Sequence, residues 1–291
     1  MSFRVNQISD THIGSVKNWF TVNVNEIGAA MRDEAPDLVI NTGDLSVNGA
    51  DDLHDLVEAK RVHDALGLPY RVIPGNHDIG DTQAVARHQP INPERRDRFV
   101  SVFGADWWQQ DVPGWRLIGI NAQLLGSDLD AAEEQLAFLQ DCRSDVTDRA
   151  IALFVHKPLF HHSASEDALL GYFVNPADRH DVLAALGDSL KLVVCGHIHQ
   201  FRDTTVNGVR HIWGPPTAFI LSPEFQADYG ERTVGYVAHE FHADGTHDCR
   251  LVAPAGATPF DLADFPQAYG NLRERKAASK IYESGAAKVS A

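Results

Sequence analysis

Cysteine is scarce: the chain has only Cys142, Cys195 and Cys249, far apart and in no CxxC pair. That excludes a disulfide framework and a thiolate zinc site, and leaves the thiols as buried or incidental groups. Long apolar runs are missing too, since none reaches the roughly 18 residues that a membrane span requires. The chain passes from Met1 straight into a strand-like segment, Phe3 to Ile8, without the charged-then-apolar layout of a signal peptide. The expected compartment is therefore the cytoplasm, with no membrane partner. Basic residues are outnumbered, 25 Lys and Arg against 40 Asp and Glu, for a formal net charge of -15. Such a field repels a phosphate backbone, so long nucleic acid is a poor partner. Internal repeats and low-complexity blocks are also lacking. What is present is an ordinary globular composition, 44% hydrophobic and 22% charged over 291 residues, enough for one large domain.

The pattern of apolar residues supplies the architecture. After the strand Phe3 to Ile8 comes the loop Ser9-Asp10-Thr11-His12-Ile13-Gly14, and then Val24, Ile27, Ala30 and Met31 recur at helical spacing up to Pro36. The unit repeats. Leu38 to Ile40 runs into Asn41-Thr42-Gly43-Asp44, Leu53 to Leu66 carries a helical stripe, and Arg71 to Ile73 runs into Pro74-Gly75-Asn76-His77-Asp78. Further strands are expected at Leu117 to Ile120, Ile151 to Val155 and Leu192 to Cys195, with amphipathic helices near Ala131 to Leu139 and Ala177 to Leu186. Alternating strands and helices of this kind predict a layered α/β fold with helix-covered sheets. Past Phe201 the texture turns antiparallel: Val206-Asn207-Gly208-Val209 signals a hairpin, and Gly235 to Phe241 and Cys249 to Val252 read as strands around Asp244-Gly245. The expected division is a domain over residues 1–254 and a tail over 255–291, surface-wrapping or partly disordered.

Fifteen histidines are many for this length, and their placement gives them meaning. The strands ending near Ile8, Ile40, Ile73, Val155 and Cys195 are each followed at once by metal-ligand residue types: Asp10 and His12, Asp44, Asn76 and His77, His156, and His197 and His199. Carboxyl ends of strands in layered α/β folds converge on one crevice, so these distant segments can meet. Carboxylate and imidazole ligands without thiolates suit first-row divalent or trivalent ions such as Mn, Fe, Co, Ni or Zn. A pair of such ions about 3.5 to 4 Å apart clamps the attacking and leaving oxygens of a phosphoryl displacement and needs a bridging carboxylate. Asp44 is the natural bridge. Taken singly, Asp10 reads as a turn residue, Asp44 as a cap, Asn76 as a tight-turn residue and His156 as a strand-end histidine. Independent turns have no reason to supply a complete ligand set in order.

Together, Asp10-Thr11-His12, Gly43-Asp44, Gly75-Asn76-His77-Asp78, His156 and Gly196-His197-Ile198-His199 resemble the calcineurin-like metallophosphoesterase superfamily over about residues 4 to 200. The resemblance implies a four-layer αββα sandwich, with two mixed sheets flanked by helices, and a dinuclear centre whose bridging hydroxide attacks the phosphorus. It implies that Asp10, His12, Asp44 and His199 hold one ion and Asp44, Asn76, His156 and His197 the other. His77 would not be a ligand but would face the phosphate, stabilising charge or protonating the leaving oxygen. Asp78 is expected to bond locally and orient the His77 ring. His161 and His162 are candidates for supporting the ligands, and Lys157 and Arg179 are among the few candidates for a phosphate clamp, neither of them assigned that role.

Departures from the family's branches narrow the substrate. Gly43-Asp44-Leu45-Ser46-Val47-Asn48-Gly49 and Asn76-His77-Asp78 differ from the GDxxDRG and GNHE of Ser/Thr phosphatases, and no tyrosine follows Asp44 as in purple acid phosphatases. The chain instead looks like the GNHD-bearing bacterial phosphodiesterases, including class III cyclic nucleotide and glycerophosphodiester enzymes. A small phosphodiester is the expected substrate, with a phosphomonoesterase or a DNA-repair nuclease as the alternative. The nuclease lacks its expected basic stripe, and a non-enzymatic scaffold would have lost ligands that are all present here. A homo-oligomer is compatible with the sequence. The stretch 161–179 is either a segment that closes over the leaving group through Tyr172, Phe173 and Asn175, or a surface insertion.

Overall fold

The computed structural model describes residues 2–167 and 171–276. In chain order the elements are β1 (Ser2–Ile8), α1 (Thr21–Glu34), β2 (Leu38–Asn41), α2 (Leu53–Ala65), β3 (Tyr70–Val72), α3 (Asn76–Ile79), α4 (Pro93–Phe103), β4 (Trp108–Val112), β5 (Trp115–Ile120), α5 (Asp130–Ser144), β6 (Ala150–Val155), α6 (Pro176–Leu186), β7 (Leu190–Cys195), β8 (Arg202–Val206), β9 (Val209–Trp213), β10 (Tyr236–His242), β11 (His247–Val252) and α7 (Pro266–Tyr269). They form a five-stranded sheet, β11-β10-β1-β2-β3, and a six-stranded sheet, β4-β5-β6-β7-β9-β8. Both sheets are mixed: β1, β2 and β3 run parallel, as do β5, β6, β7 and β9, while the outer partners pair antiparallel.

Alternation along the strands explains why two sheets stack. In β6, Ile151, Leu153 and Val155 point into a core shared with Leu139 of α5 and Val182 of α6. Ala152 and Phe154 point the other way, toward Val5, Ile40, Val237 and Phe241 of the first sheet. In β2, Val39 faces Val24 and Ile27 of α1 and Leu56 and Val62 of α2, while Ile40 faces the inter-sheet core. A strand buried on both faces must be apolar at nearly every position, and Ala150-Ile-Ala-Leu-Phe-Val155 is such a strand. The result is the expected four layers, helix, sheet, sheet and helix. The Asn207-Gly208 hairpin forms with both turn residues at positive φ, 51° and 82°, as a two-residue turn of the primed type requires.

Two features differ from the sequence reading. The antiparallel closing portion is split between sheets: β9 joins β7 in parallel, whereas β10 joins β1 antiparallel. The strand β4 escapes the alternation signal, because Gln109 and Gln110 separate its buried ends Trp108 and Val112. The expected tail over 255–291 falls in part on residues 277–291, which lie outside the described residues. Its described part packs closely. Phe20, Ala218, Phe219, Leu262 and Ala268 make a fourth small core, and Asn23 ties it down by bonding Thr258 through both backbone groups. No helix of the described residues is long and apolar enough to cross a membrane.

Candidate metal centre

Every ligand-type residue singled out in the sequence lies in the loop or the first helical turn that follows a strand, and the two sheets bring those strand ends together. Three groupings of possible ligand atoms result, Asp10 with His12 and His199, His12 with Asp44 and His77, and Asp44 with His156 and His197. The atoms within each grouping lie within 4.8 Å of one another. Asp44 joins them: its Oδ2 is 3.3 Å from His156 Nε2 and 3.9 Å from His12 Nε2. On the other side His199 Nε2 is 3.3 Å from Asp10 Oδ1 and 3.3 Å from His12 Nε2.

The backbone is strained to achieve this. Eight non-glycine residues among those described have positive φ, and five of them are Asp10, His12, Asp44, His197 and His199. Each costs on the order of 1 kcal/mol or more, and such strain persists where the surroundings fix the residue for use. The loops also pack too closely for ordinary side chains. A Cβ on Gly75 would sit 2.8 Å from Asp44 Cγ, and one on Gly43 would sit 2.5 Å from His156 Nδ1.

Each of the four histidines directs one ring nitrogen into the cluster and has the other occupied. His156 Nδ1 donates to the Thr42 carbonyl at 2.8 Å, His199 Nδ1 to the Phe219 carbonyl at 2.8 Å, and His197 Nε2 to the Gly171 carbonyl at 2.6 Å. His12 Nδ1 meets the Tyr269 hydroxyl at 2.5 Å. Such outer bonds fix the tautomer and leave a lone pair for a cation. Asn76 Oδ1 is buried without a hydrogen-bond partner and its residue lines the cleft over the cluster, and the buried Asp10 Oδ1 has only the His199 contact at 3.3 Å. Two almost fully buried carboxylates, Asp10 and Asp44, face it as well. Unpaired buried acceptors and carboxylates are costly unless a cation completes them, so this donor set fits a pair of metal ions.

The electrostatics agree. Burial alone would raise the Asp10 and Asp44 carboxyls, but His199 beside Asp10 and His156 beside Asp44 overcome it and hold both well below the ordinary range. Burial opposes charge on His156 as well, yet Asp44 and Asp10 push it up to about 9, and His199 is raised against burial by Asp10. Burial and the neighbouring His77 push His12 down, while burial and His156 bring His197 down to about 4. The buried Asp10 and Asp44 carboxylates thus favour positive charge on His156 and His199, the charge that cations would supply at this site.

His77 stands at the first turn of α3 with its ring 4.8 Å from that of His12, and its Nδ1 donates to the Val47 carbonyl at 3.0 Å. Its backbone N–H donates to Asp44 Oδ1 at 2.8 Å. The expected role of Asp78 in orienting the His77 ring is not seen. Asp78 is buried and accepts from Gly75 N, Leu45 N, Ser46 N and Ser46 Oγ, clamping the Asp44 loop to the His77 turn, because its side chain points back along the helix start. Burial and Asp44 raise it to about 6. Neither candidate cation is available for a phosphate clamp. Lys157 is buried in an ion pair with Asp81 at 2.7 Å, and the buried Arg179 guanidinium donates to the carbonyls of Leu159, Ala164, Glu166 and Val174. His161 packs among Phe173, Trp213 and Tyr229.

A cleft of about 320 Å³ opens over the cluster, walled by Tyr172, Phe219, Leu221, Leu262, Tyr269 and Arg275. Of the three residues expected to close over it, Tyr172 does line it; Phe173 is core and Asn175 caps α6. Sequence reasoning missed Tyr269 and Phe219, although Phe260, Leu262, Phe265, Tyr269 and Leu272 form an apolar series that a disordered tail would lack.

A model of the calcineurin-like phosphoesterases matches residues 3–201. The chain is similar to GpdQ of Arcobacter nitrofigilis, a probable glycerophosphodiester phosphodiesterase, at 28% identity over 70% of this chain and 74% of that one. It is similar to CpdA of Escherichia coli, a 3',5'-cyclic adenosine monophosphate phosphodiesterase, at 29% identity over 84% and 86%. The fold is shared with a purple acid phosphatase from yellow lupin, with a TM-score of 0.64 and 15% identity over 90% of this chain and 53% of that one. A dimetal phosphatase from Danio rerio gives a TM-score of 0.58 and 14% identity over 87% and 99%. The chain spans about half the length of the lupin protein.

Proposed function

The chain belongs to the calcineurin-like phosphoesterase family and is a metal-dependent phosphoesterase, and from that premise we propose that it hydrolyses a small phosphodiester, a cyclic nucleotide or a glycerophosphodiester. The observation that carries the reading is Asp44 Oδ2, which faces His12 on one side and His156 on the other, so that a single carboxylate serves two ligand groups. Asp10, His12, Asp44 and His199 would hold one ion, and Asp44, Asn76, His156 and His197 the second. A bound pair of Mn, Fe, Zn, Co or Ni ions supplies Lewis acidity and lowers the pKa of water.

The protein's own groups account for the rest. His77 is held through Nδ1 by the Val47 carbonyl, and as an imidazolium it would give its Nε2 proton to the leaving oxygen or neutralise phosphoryl charge. The cleft walls, Tyr172, Phe219 and Tyr269, offer aromatic surface to the leaving group. Phosphodiesterases among the relatives support a diester, and the -15 charge supports a small substrate over a nucleic acid chain. The working unit is residues 1–254 with the described part of the following segment, 255–276, packed against it. Three unpaired cysteines suit the reducing cytoplasm.

A turnover panel on metal-loaded protein tests this, with cyclic nucleotides, glycerophosphodiesters, aryl mono- and diesters and single-stranded DNA. Faster turnover of a small diester than of its monoester is expected. Exclusive action on monoesters or on DNA would overturn the proposal. Asp44→Asn should abolish that turnover while Asp51→Asn, which weakens only exposed contacts with Arg95 and Gln89, should not.

A further inference from the structure

Three of the four cluster histidines are held at their outer nitrogen by backbone carbonyls, of Thr42, Gly171 and Phe219. The fourth, His12, is held by a side chain that arrives from 257 residues further along the chain. Tyr269 closes the one-turn helix α7, and the segment carrying it is anchored by the buried Leu262 and Ala268 against Phe20 and Phe219. Its hydroxyl can accept the His12 Nδ1 proton at 2.5 Å and point its own hydrogen toward the Val47 carbonyl at 3.5 Å. Val47 is also the acceptor for His77 Nδ1, so one carbonyl ties together the supports of a cluster histidine and of the phosphate-facing histidine. The Tyr269 ring lies edge-on to both imidazoles, with centroids 5.6 Å from His12 and 4.9 Å from His77.

We propose that Tyr269 is a positioning residue of the metal centre: its hydroxyl fixes the His12 ring with Nε2 directed at Asp10, Asp44 and His199, and so sets the affinity of one metal position but not of the other. The inference rests on the dinuclear reading above. An imidazole without this bond can rotate about its side-chain torsions and share its proton between both nitrogens, and only the tautomer protonated on Nδ1 offers Nε2 to a cation. The second position draws on Asn76, His156 and His197, none of which touches Tyr269 in the contacts of the described residues. The C-terminal segment is then part of the active centre and not an appendage.

The test uses the full chain, stripped of metal and titrated with Co(II) against a competing chelator, with the Co(II) absorption spectrum recorded at each step. Tyr269→Phe removes only the hydroxyl and keeps the ring that packs on Phe219 and His77. One of the two affinities should fall about 10- to 100-fold with the other unchanged, and the spectrum of the weakened site should shift. Turnover should recover when Co(II) is raised to saturate both sites. Unchanged affinities, or an equal fall in both, would overturn the role of Tyr269. A wild-type chain that binds fewer than two Co(II) ions would instead overturn the dinuclear reading, so the two failures are distinguishable.

Discussion

Replacing Gly75 by alanine adds a single methyl group at the point where the loop carrying His77 meets Asp44. The backbone at Gly75, φ -108° and ψ -174°, is one that any residue adopts, so conformational strain contributes nothing and the effect is steric. The added Cβ would lie 2.8 Å from Asp44 Cγ and closer still to its Oδ1 and N, where ordinary contacts begin at 3.4 Å. Backbone borders it on one side, and the Asp44 carboxylate is held by the His77 N–H at 2.8 Å, so relief requires the carboxylate to retreat by about 1 Å. A misplacement of that size costs on the order of 10²-fold in kcat, and overpacking costs about 1–3 kcal/mol of stability. The assay is steady-state turnover of the best diester together with metal content by mass spectrometry, on protein whose circular dichroism matches wild type. Wild-type kcat with a full complement of metal would refute the placement of Asp44 as the hub.

His77→Ala should keep the metal content and lose about 10²- to 10⁴-fold in kcat for a poor leaving group, with a smaller loss for an activated aryl ester if the ring acts as an acid. Loss of an ion from that variant would make His77 a ligand, and unchanged turnover of a poor leaving group would remove it from the chemistry. Metal uptake should release protons, because Asp44 and Asp10 raise His156 to about 9, so that it carries a proton in the metal-free protein at neutral pH, and Asp10 raises His199 in the same direction. Apparent affinity should therefore weaken as pH falls below about 9, and calorimetry showing a pH-independent affinity without proton release would contradict the assigned ligands. Lys157→Met leaves the buried Asp81 carboxylate without its partner and should lower stability by about 3–5 kcal/mol, read as a reduced Tm with the metal content unchanged. A variant that retained its Tm but lost turnover would return Lys157 to the substrate.

The candidate ligand positions were legible in the sequence because their placement is local to strand ends: Asp10, Asp44, Asn76, His156 and His197 each follow a strand by a few residues. The layering was legible for the same reason, since strands such as Ala150–Val155 are apolar on both faces. Pairings over long sequence distance were not. Nothing in the local pattern tells that β9 lies beside β7 while β10 lies beside β1, or that Tyr269 reaches His12. Asp78 was misread because its side chain answers a demand of the neighbouring loop, the unpaired N–H groups of Leu45 and Ser46, which becomes visible only once the two loops meet. Lys157 and Arg179 looked available because sequence shows charge but not burial.

The central claim is that one carboxylate, Asp44, serves two metal ions. Crystals of the Mn(II)-loaded chain measured at the manganese absorption edge test it directly. Two anomalous peaks per chain, with Asp44 contacting both and His77 contacting neither, are the predicted result. A single peak, or two peaks of which Asp44 touches only one, would contradict it.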